Sequence, residues 1–284
     1  MKYVLAISGG VDSVVLLDLV ARDLDFRMLH FPDAEFPRDF VVAHFEHGVR
    51  GVTSVRDAEF VRGLADKHNL EFALGSGKLG RNASEELARK KRHKFLQKIA
   101  SENNALIVTA HHADDLFETI VMNLIRGTGW RGLAPMTNEQ ILRPLLDMTK
   151  AEIVRYAIDH DLMWAEDATN FSFDYFRNRV REFVVRIPND KRCEFLELNE
   201  KQRILRDKIE NEIPKYPNGV LPRQSLTTIP ENVAVEILRV ATDEKLTRPQ
   251  LKRLLTFIKT AKPHKRTEYG SLKITVTKTQ ILFN

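Results

Sequence analysis

The pattern of apolar and polar positions divides most of the chain into short buried strands and amphipathic helices. Residues 3–7 are predicted to form a buried strand, and "DSVVLLDLVARD" (12–23) has apolar residues at helical spacing. Segments 40–45 and 105–110 are apolar in the same way as the first strand. Further helices are predicted over 54–69, 85–103, 114–126 and 149–161. Short apolar strands that alternate with helices are typical of a parallel sheet covered on both faces.

The pattern changes in the last third of the chain. A long polar helix over about 190–212 is predicted to act as a connector, and the prolines and glycine of "IPKYPNGVLP" (213–222) mark a boundary. A helix near 231–242 follows, and the Thr247 to Gln250 spacing suits a capping box that opens another helix. "LKITVTKTQILF" (272–283) alternates like a strand. We therefore expect a Rossmann-like α/β fold, with a parallel doubly wound sheet, followed by a smaller, mainly helical and basic C-terminal domain. The predicted boundaries are 1–186, 187–213 and 214–284.

Charge is distributed unevenly along the 284 residues. The net charge is +5, but residues 245–284 carry ten Lys or Arg against one acid, Glu268. A basic tail on a mildly acidic body indicates a polyanionic partner, nucleic acid before membrane, although a solvated basic surface has the same composition. No apolar run reaches the ~18–20 residues that span a bilayer, so we expect a cytoplasmic protein. The one cysteine, Cys193, excludes an internal disulfide and a multi-thiolate metal site.

The first apolar strand breaks at Ser8-Gly9-Gly10, and the next helix starts with Asp12 and Ser13. Backbone N–H groups at such a junction lie at the positive end of a helix, which binds phosphate. Glycines let phosphate oxygens approach the backbone, and the serines add hydroxyl donors. Asp12 would cap the helix or hold Mg²⁺ on the phosphates. An ordinary capped turn explains single residues, but the whole set favours a phosphate site.

Two other glycine clusters resemble nucleotide motifs without their context. "GTGWRG" (127–132) matches G-x-G-x-x-G, yet it follows a helix instead of opening one after a strand. "GSGKLG" (75–80) resembles part of a Walker A loop, but Phe72 stands where the first glycine belongs and Leu79 replaces Ser or Thr. We expect neither cluster to bind a nucleotide.

Three acids cluster at the start of the helix predicted over 114–126. Asp114 and Glu118 are four residues apart and share a face, whereas Asp115 points about 100° away. Such acids repel each other unless a cation lies between them, although a helix dipole would favour one or two of them. The adjacent His111 and His112 diverge and have no cysteine nearby, so we favour a histidine that contacts a phosphate or a base over a zinc ligand.

"SGGVDS" (8–13) resembles the PP-loop of the ATP-pyrophosphatase superfamily, whose members cleave ATP between the α and β phosphates and adenylate an oxygen of their substrate. "VTAHHADDLFETIVMNLIRGTGWRGLAPM" (108–136) is similar to the signature of the tRNA(Ile)-lysidine synthetase family, which has two histidines, paired aspartates, Glu-Thr and a glycine-rich tail. Further matches to this family fall at 44–51, 82–96, 143–153 and 167–181.

The resemblance implies an ATP-dependent ligase. It would adenylate O2 of cytidine 34 in an isoleucine tRNA with a CAU anticodon, releasing pyrophosphate, and the amine of free L-lysine would then attack C2 and expel AMP. The implied cofactors are ATP and Mg²⁺, and no DNA or membrane partner is expected.

The candidate residues follow from the resemblance and from the residue types. The candidate catalytic residues are Asp12, Asp114, Asp115 and Glu118. The candidate ATP-binding residues are Ser8, Gly9, Gly10, Val11, Asp12, Ser13 and His111. The candidate metal ligands are Asp12 and Asp115, while Asp114 and Glu118 would orient the lysine ammonium groups or deprotonate the attacking amine, a division that stays open.

The candidate tRNA-binding residues are basic or amide side chains, because guanidinium groups suit phosphates and unstacked bases. They are Arg89, Arg92, Arg177, Asn178, Arg179 and Arg181. In "FRNRVR" the three arginines share one face if the segment is extended and spread around the axis if it is helical. For both sets, surface ion pairing is the alternative.

Three other functions compete with this one. A PP-loop 2-thiolase needs several cysteines and this sequence has one. A small-molecule ligase similar to GMP synthetase does not bind a polyanion, so this function does not explain the basic tail. A non-catalytic nucleic-acid binder, with 231–260 as a helix-turn-helix-like module, leaves the acids at 114–118 without a purpose.

Overall fold

The computed structural model describes residues 1–46, 52–77, 85–165, 175–213, 220–242, 245–270 and 272–283. The chain divides into two compact units, Met1–Gln202 and Arg203–Asn284. This division falls inside the helix predicted as a connector. The matching segments 44–51, 82–96 and 167–181 lie partly outside the described residues.

The first unit alternates strands with helices. In chain order its elements are β1 (Lys2–Ala6), α1 (Val11–Arg22), α2 (Leu24–His30), β2 (Phe40–Glu46), α3 (Val52–Lys67), β3 (Glu71–Ser76), α4 (Glu85–Asn103), β4 (Ala105–Val108), α5 (Ala113–Ile125), β5 (Ile141–Leu142), α6 (Lys150–Asp159), α7 (Tyr175–Val185) and the first part of α8 (Asn189–Glu212).

The five strands form one sheet in the order β3-β2-β1-β4-β5, and every pairing is parallel. The central strand β1 is buried on both faces. Leu5 packs with Leu16 of α1 and Ile153 of α6, whereas Val4 packs on the other face with Leu96 of α4. Helices on both faces confirm the predicted doubly wound α/β fold.

Some elements differ from the sequence prediction. Strands β3 and β5 and helix α2 were not predicted from the sequence, so the segment around 105–110 contributes the fourth strand of the chain and not the third. The "FRNRVR" segment lies in α7 and is helical. Gly75 of the Walker-like cluster lies inside β3, where a Cβ would come within 2.6 Å of Phe95. The 127–132 cluster follows α5 and leads into a single 3-10 turn, Trp130–Leu133.

The second unit combines helices with a small antiparallel sheet. After the end of α8 its elements are β6 (Val220–Pro222), α9 (Arg223–Thr228), α10 (Glu231–Ala241), α11 (Arg248–Thr260), β7 (Lys265–Tyr269), β8 (Leu272–Val276) and β9 (Gln280–Phe283). The sheet order is β6-β9-β8-β7.

The apolar faces of the helices in this second unit pack against one face of its sheet. Leu238 of α10, Leu254 of α11 and Ile274 of β8 are fully buried in a shared core. The capping box predicted at the start of α11 is present, since the Thr247 N–H donates to Gln250 Oε1 at 2.8 Å.

Candidate functional site

The loop between β1 and α1 has the backbone conformation that its glycines permit. Gly9 has φ +95°, in the left-handed region, and a Cβ there would lie 3.3 Å from Val61 Cγ2. Gly10 is the extended N-cap residue of α1, and no side chain caps this helix end. The first-turn amides of α1 therefore have no partner within the helix, as an anion site requires.

The Ser13 hydroxyl holds the backbone of this loop through hydrogen bonds. Its Oγ accepts from the N–H of Ser8 at 3.2 Å and of Gly9 at 3.1 Å, and it donates to Gly10 O at 2.9 Å. Ser13 is buried, whereas Ser8 is exposed with its Oγ 3.1 Å from Ser13 Oγ. The sequence predicts two hydroxyl donors for a phosphate. The Ser13 proton is directed at the loop backbone, which leaves Ser8 as the exposed hydroxyl.

Three helices begin at the same edge of the sheet, because parallel strands present their carboxyl ends together. The N-cap residues are Gly10 of α1, His112 of α5 and Thr149 of α6. The first turns carry acids, which interact favourably with the positive helix ends. We call Asp12, Asp114, Asp115 and Glu118 the acid cluster.

The buried His112 joins the acids of two elements. Its Nε2 lies 3.4 Å from Asp115 Oδ2 and 4.0 Å from Asp12 Oδ1, and its backbone N–H donates to Asp115 Oδ2 at 3.2 Å. Its Nδ1 is buried without a hydrogen-bond partner in the described part of the chain. The loop after β1 and the acidic helix start thus meet around one imidazole, which brings together two residues 103 positions apart in sequence.

Asp12 and Asp114 are both bound by Lys150, the first residue of α6. The Lys150 ammonium donates to Asp12 Oδ1 at 2.5 Å, and its backbone N–H donates to Asp114 Oδ2 at 2.7 Å. Asp114 Oδ1 also accepts from Arg192 of α8. Neither Lys150 nor Arg192 was a sequence candidate. Lys150 lies in the matching segment 143–153 without an assigned role, and Arg192 lies outside the matching segments.

Asp115 and Glu118 face α7. Arg177 donates through Nε to Glu118 Oε2 at 3.0 Å and through Nη2 to Asp115 Oδ1 at 3.2 Å. Arg181 donates through Nε to Glu118 Oε1 at 2.7 Å, and this interaction with Glu118 raises the pKa of Arg181. The four-residue spacing predicts that Asp114 and Glu118 share a face. In the structure Asp115 and Glu118 share a partner, since residues three apart also face the same side of a helix.

The candidate tRNA-binding arginines therefore separate into two groups. Arg177 and Arg181 lie on the α7 face that binds the acid cluster, whereas Arg179 is exposed and Asn178 is partly exposed. Arg89, on α4, is exposed, and so is Arg92. Ion pairing, which was the alternative for these residues, is thus what Arg177 and Arg181 show.

His111 lies beside the acid cluster and close to several arginines. Its Nδ1 is 2.8 Å from Thr109 Oγ1. Burial is the main cause of a lowered pKa of His111. The negative charge of Asp115 opposes this shift, and the positive charges of Arg143, Arg89 and Arg92 add to it, so that the pKa is about 4. His111 is therefore neutral at physiological pH and offers its other nitrogen as a donor or acceptor. Arg143, which the sequence analysis did not single out, donates to Met136 O at 2.8 Å and has a buried, unpartnered Nε in the described structure.

Comparison with known proteins agrees with this arrangement. The family model of the PP-loop domain matches residues 1–187. The chain is 36% identical over 195 residues to a tRNA(Ile)-lysidine synthase of Thermosipho africanus, covering 66% of this chain and 43% of that protein. It is 30% identical over 245 residues to the synthase of Actinobacillus pleuropneumoniae serotype 3, covering 81% of this chain and 55% of that protein. It therefore spans about half the length, or less, of these curated relatives.

A solved structure shares the fold. The U34-tRNA thiolase NcsA from Methanococcus maripaludis, solved with its 4Fe-4S cluster, superposes with a TM-score of 0.56 at 18% identity, over 72% of each chain. No helix in the described part of our structure is long and apolar enough to cross a membrane. The match of the family model to residues 1–187, together with the glycine loop, the acid cluster and the doubly wound sheet, shows that this chain belongs to the PP-loop domain family.

Proposed function

We propose that this protein is an ATP-dependent ligase that joins free L-lysine to C2 of cytidine 34 in an isoleucine tRNA with a CAU anticodon. Cytidine O2 attacks the α phosphorus of ATP, and the bond to the bridging oxygen breaks as pyrophosphate leaves. The lysine amine then attacks C2 and expels AMP, giving lysidine. Relatives at 30–36% identity are named tRNA(Ile)-lysidine synthase.

One observation carries the proposal. Asp12 of the glycine loop and Asp115 of α5 both lie within 4.0 Å of His112 Nε2. A PP-loop alone is shared by enzymes with many substrates. Here the PP-loop lies beside the paired aspartates of the lysidine-type signature. This combination favours lysidine formation over the other reactions of the superfamily.

The nucleotide site proposed here lies at the N-terminus of α1. The Val11 amide and the Ser8 hydroxyl would hold phosphate oxygens. The amides of Gly9 and Gly10 donate to Ser13 Oγ at 3.1 Å and to Ser8 Oγ at 3.3 Å, and they would exchange these bonds for bonds to the bound phosphate. His111, neutral at physiological pH, would contact a phosphate or the base.

The donor set beside this loop fits Mg²⁺. In the described part of the chain, no group of three or more His, Cys, Asp or Glu side chains could hold a metal ion. Mg²⁺ is usually bound by one or two carboxylates, with waters and substrate phosphates completing its octahedron. Asp12 and Asp115 approach one imidazole nitrogen from two elements and would supply those two carboxylates. Bound there, the metal would neutralise phosphate charge.

The acid cluster would also serve the lysine substrate. Asp114 is the candidate for orienting a lysine ammonium group or deprotonating the attacking amine. The substrate amine would then replace Arg192 as the partner of Asp114. Glu118 is almost fully buried beneath Arg177 and Arg181, so we assign it to holding these arginines instead of to proton transfer.

The tRNA would contact exposed basic groups on both units. On the first unit the candidates are Arg89, Arg92, Asn178 and Arg179, with Arg177 and Arg181 at the edge of the acid cluster. On the second unit they are the Lys and Arg side chains of α11. The predicted domain boundaries, 1–186, 187–213 and 214–284, and a cytoplasmic location belong to the same proposal.

Pyrophosphate release tests this function. The protein is incubated with ATP and either lysine, ammonia or a sulfur donor, with and without a CAU-anticodon isoleucine tRNA transcript. We expect release only with the tRNA, and a modified nucleoside only when lysine is added. Release without tRNA would assign the chain to a small-molecule adenylating ligase, and product with another donor would assign it to another PP-loop tRNA-modifying enzyme.

A further inference from the structure

Lys150 lies in the segment 143–153, which resembles the lysidine synthetase family, but nothing in the sequence gave this residue a role. Its ammonium lies 2.5 Å from Asp12 Oδ1, in the first turn of the helix that follows the glycine loop. The contact joins residues 138 positions apart in the chain. Its backbone N–H is bound to Asp114 at 2.7 Å, and the Thr149 cap starts α6 just before it. Lys150 is therefore held from the main chain, with its side chain pointing at the loop.

The glycine loop has no positive side chain of its own. The segment "SGGVDS" (8–13) contains neither Lys nor Arg, so its positive potential comes from backbone amides and the helix end. Lys150 belongs to a helix that is distant in sequence, and its bond to Asp12 places a positive side chain beside this segment. A bound polyphosphate would bring several negative charges to this place, and a nearby ammonium would offset part of them.

The Lys150 ammonium group can donate more hydrogen bonds than the one it makes to Asp12. It carries three N–H donors, and one of them is directed at Asp12. The side chain is 44% exposed, so it is accessible to a ligand from solvent. A flexible lysine with one anchoring acid can turn to an incoming phosphate oxygen without leaving Asp12.

We propose that Lys150 is a catalytic residue of the nucleotide site, whose ammonium contacts the phosphates of ATP and stabilises the charge that builds on the departing pyrophosphate. The inference rests on the proposed function for the identity of the nucleotide. It adds a residue from α6, 138 positions from Asp12, to a site otherwise built from the glycine loop and α5.

The alternative is that Lys150 only neutralises Asp12. The two roles differ in what happens when Asp12 loses its charge. If neutralisation is the whole role, Lys150→Met should have no effect on nucleotide affinity in an Asp12→Asn background. If the ammonium binds phosphate, Lys150→Met should weaken affinity in both backgrounds, which a double-mutant cycle measures.

The experiment measures equilibrium binding of α,β-methylene-ATP by calorimetry and, separately, the single-turnover rate of pyrophosphate release with tRNA. We expect Lys150→Met to weaken binding about tenfold, as for loss of a charge-assisted hydrogen bond, and to slow release about 100-fold or more. Lys150→Arg should recover most of the binding, because it keeps the charge. Arg155→Met, five residues further along α6 and exposed, is the matched control and should behave as wild type.

The outcomes separate the two proposals. If wild type binds the analogue and Lys150→Met binds it equally well, the role of Lys150 is wrong while the proposed function stands. If wild type does not bind the analogue, the proposed function itself fails. Lys150→Gln serves as a second variant, and the unfolding midpoint without nucleotide shows whether each variant is folded. An effect that disappears in the Asp12→Asn background would overturn the phosphate contact in favour of charge neutralisation.

Discussion

The acid cluster of the first unit and the exposed face of α11 in the second unit use charge in opposite ways. In the acid cluster each carboxylate is bound by a basic group of the same chain, and Glu118 is buried between two guanidiniums. On α11 the exposed positions carry four basic residues, which we call the basic face. They are Arg248, Lys252, Arg253 and Lys259. Of these, Lys252 pairs with Glu231 at 3.0 Å.

The comparison shows why charge alone does not identify a binding surface. Arg177 and Arg181 have the residue type and spacing of nucleic-acid contacts, yet they hold buried carboxylates. Buried pairs are costly to break, because one charge is left without a partner in a poorly solvated place. Exposed charges on α11 are surrounded by water and contribute little to folding. Mutations in the acid cluster should therefore lower the free energy of unfolding, whereas mutations on the exposed face of α11 should weaken binding.

The largest effect is expected at Glu118. Replacing Glu118 by Ala removes a buried carboxylate that accepts charge-assisted hydrogen bonds from both Arg177 and Arg181. Although Arg177 keeps Asp115 and Arg181 is 45% exposed, loss of the two bonds costs about 3–5 kcal/mol of unfolding free energy. Both tryptophans, Trp130 and Trp164, lie in the first unit, so urea unfolding followed by their fluorescence reports on this unit alone.

The matched control for Glu118 is Glu194 of α8, whose ion pair with Lys191 spans 2.7 Å at the surface. Glu194→Ala should change the free energy by about 1 kcal/mol or less. Equal effects of the two substitutions would show that burial does not distinguish the acid cluster.

A smaller effect is expected from pH through His111. Its pKa is about 4 in the folded protein and 6.5 in a model peptide. The unfolded chain therefore binds a proton before the folded one does as pH falls. The stabilisation from neutral His111 is complete above about pH 6.5 and is lost as pH falls from 6.5 to 4, amounting to about 3 kcal/mol. The unfolding free energy, measured across this range, should decline less in His111→Asn. An equally steep decline in His111→Asn would contradict this assignment.

Ser13 should have the next largest effect. Ser13→Ala removes the acceptor of two loop amides and the donor to Gly10 O, which costs about 1–3 kcal/mol when buried groups are left unsatisfied. Because the loop loses its support, binding of α,β-methylene-ATP should weaken together with stability. Ser101→Ala, at an exposed position of α4, should alter neither quantity. Full nucleotide affinity in Ser13→Ala would mean that the loop keeps its shape without this hydroxyl.

Much of the fold could be predicted because its signals are local. The helix predicted over 85–103 matches α4, and α5 lies within one residue of its prediction at both ends, since apolar spacing and polar ends coincide there. Strand β3 was missed because Glu71 and Gly75 interrupt its apolar pattern, and its position beside β2 depends on pairing. Strand β5 has two residues, too few to give a pattern.

The candidate site was predicted less completely. Asp12 and Asp115 could be found because they stand in short motifs beside glycines and histidines. Lys150 and Arg192 could not, since their contacts with the acid cluster join residues 138 and 78 positions apart. Basic residues are common on helix surfaces, and only the fold shows which of them face an acid. The same limit applies to Arg177 and Arg181, which were assigned to tRNA from the family resemblance and their residue type, whereas their bonds to Glu118 are visible only in the fold.

The smallest effect on stability, and a specific one on binding, is expected on the basic face. Arg253→Gln with Lys259→Gln should change the unfolding free energy by no more than about 0.5 kcal/mol, because both side chains are exposed. If these side chains bind phosphates, the slope of log affinity for a tRNA transcript against log salt falls by about 0.7–0.9 for each phosphate that is no longer neutralised. The matched control is Lys67→Gln with Lys191→Gln, two exposed lysines of the first unit that remove the same charge. Net charge is then equal in the two variants, so a slope that falls only in the α11 variant locates the RNA contact on the basic face. Equal slopes would mean that the tail attracts RNA through its overall charge and that α11 provides no defined contact.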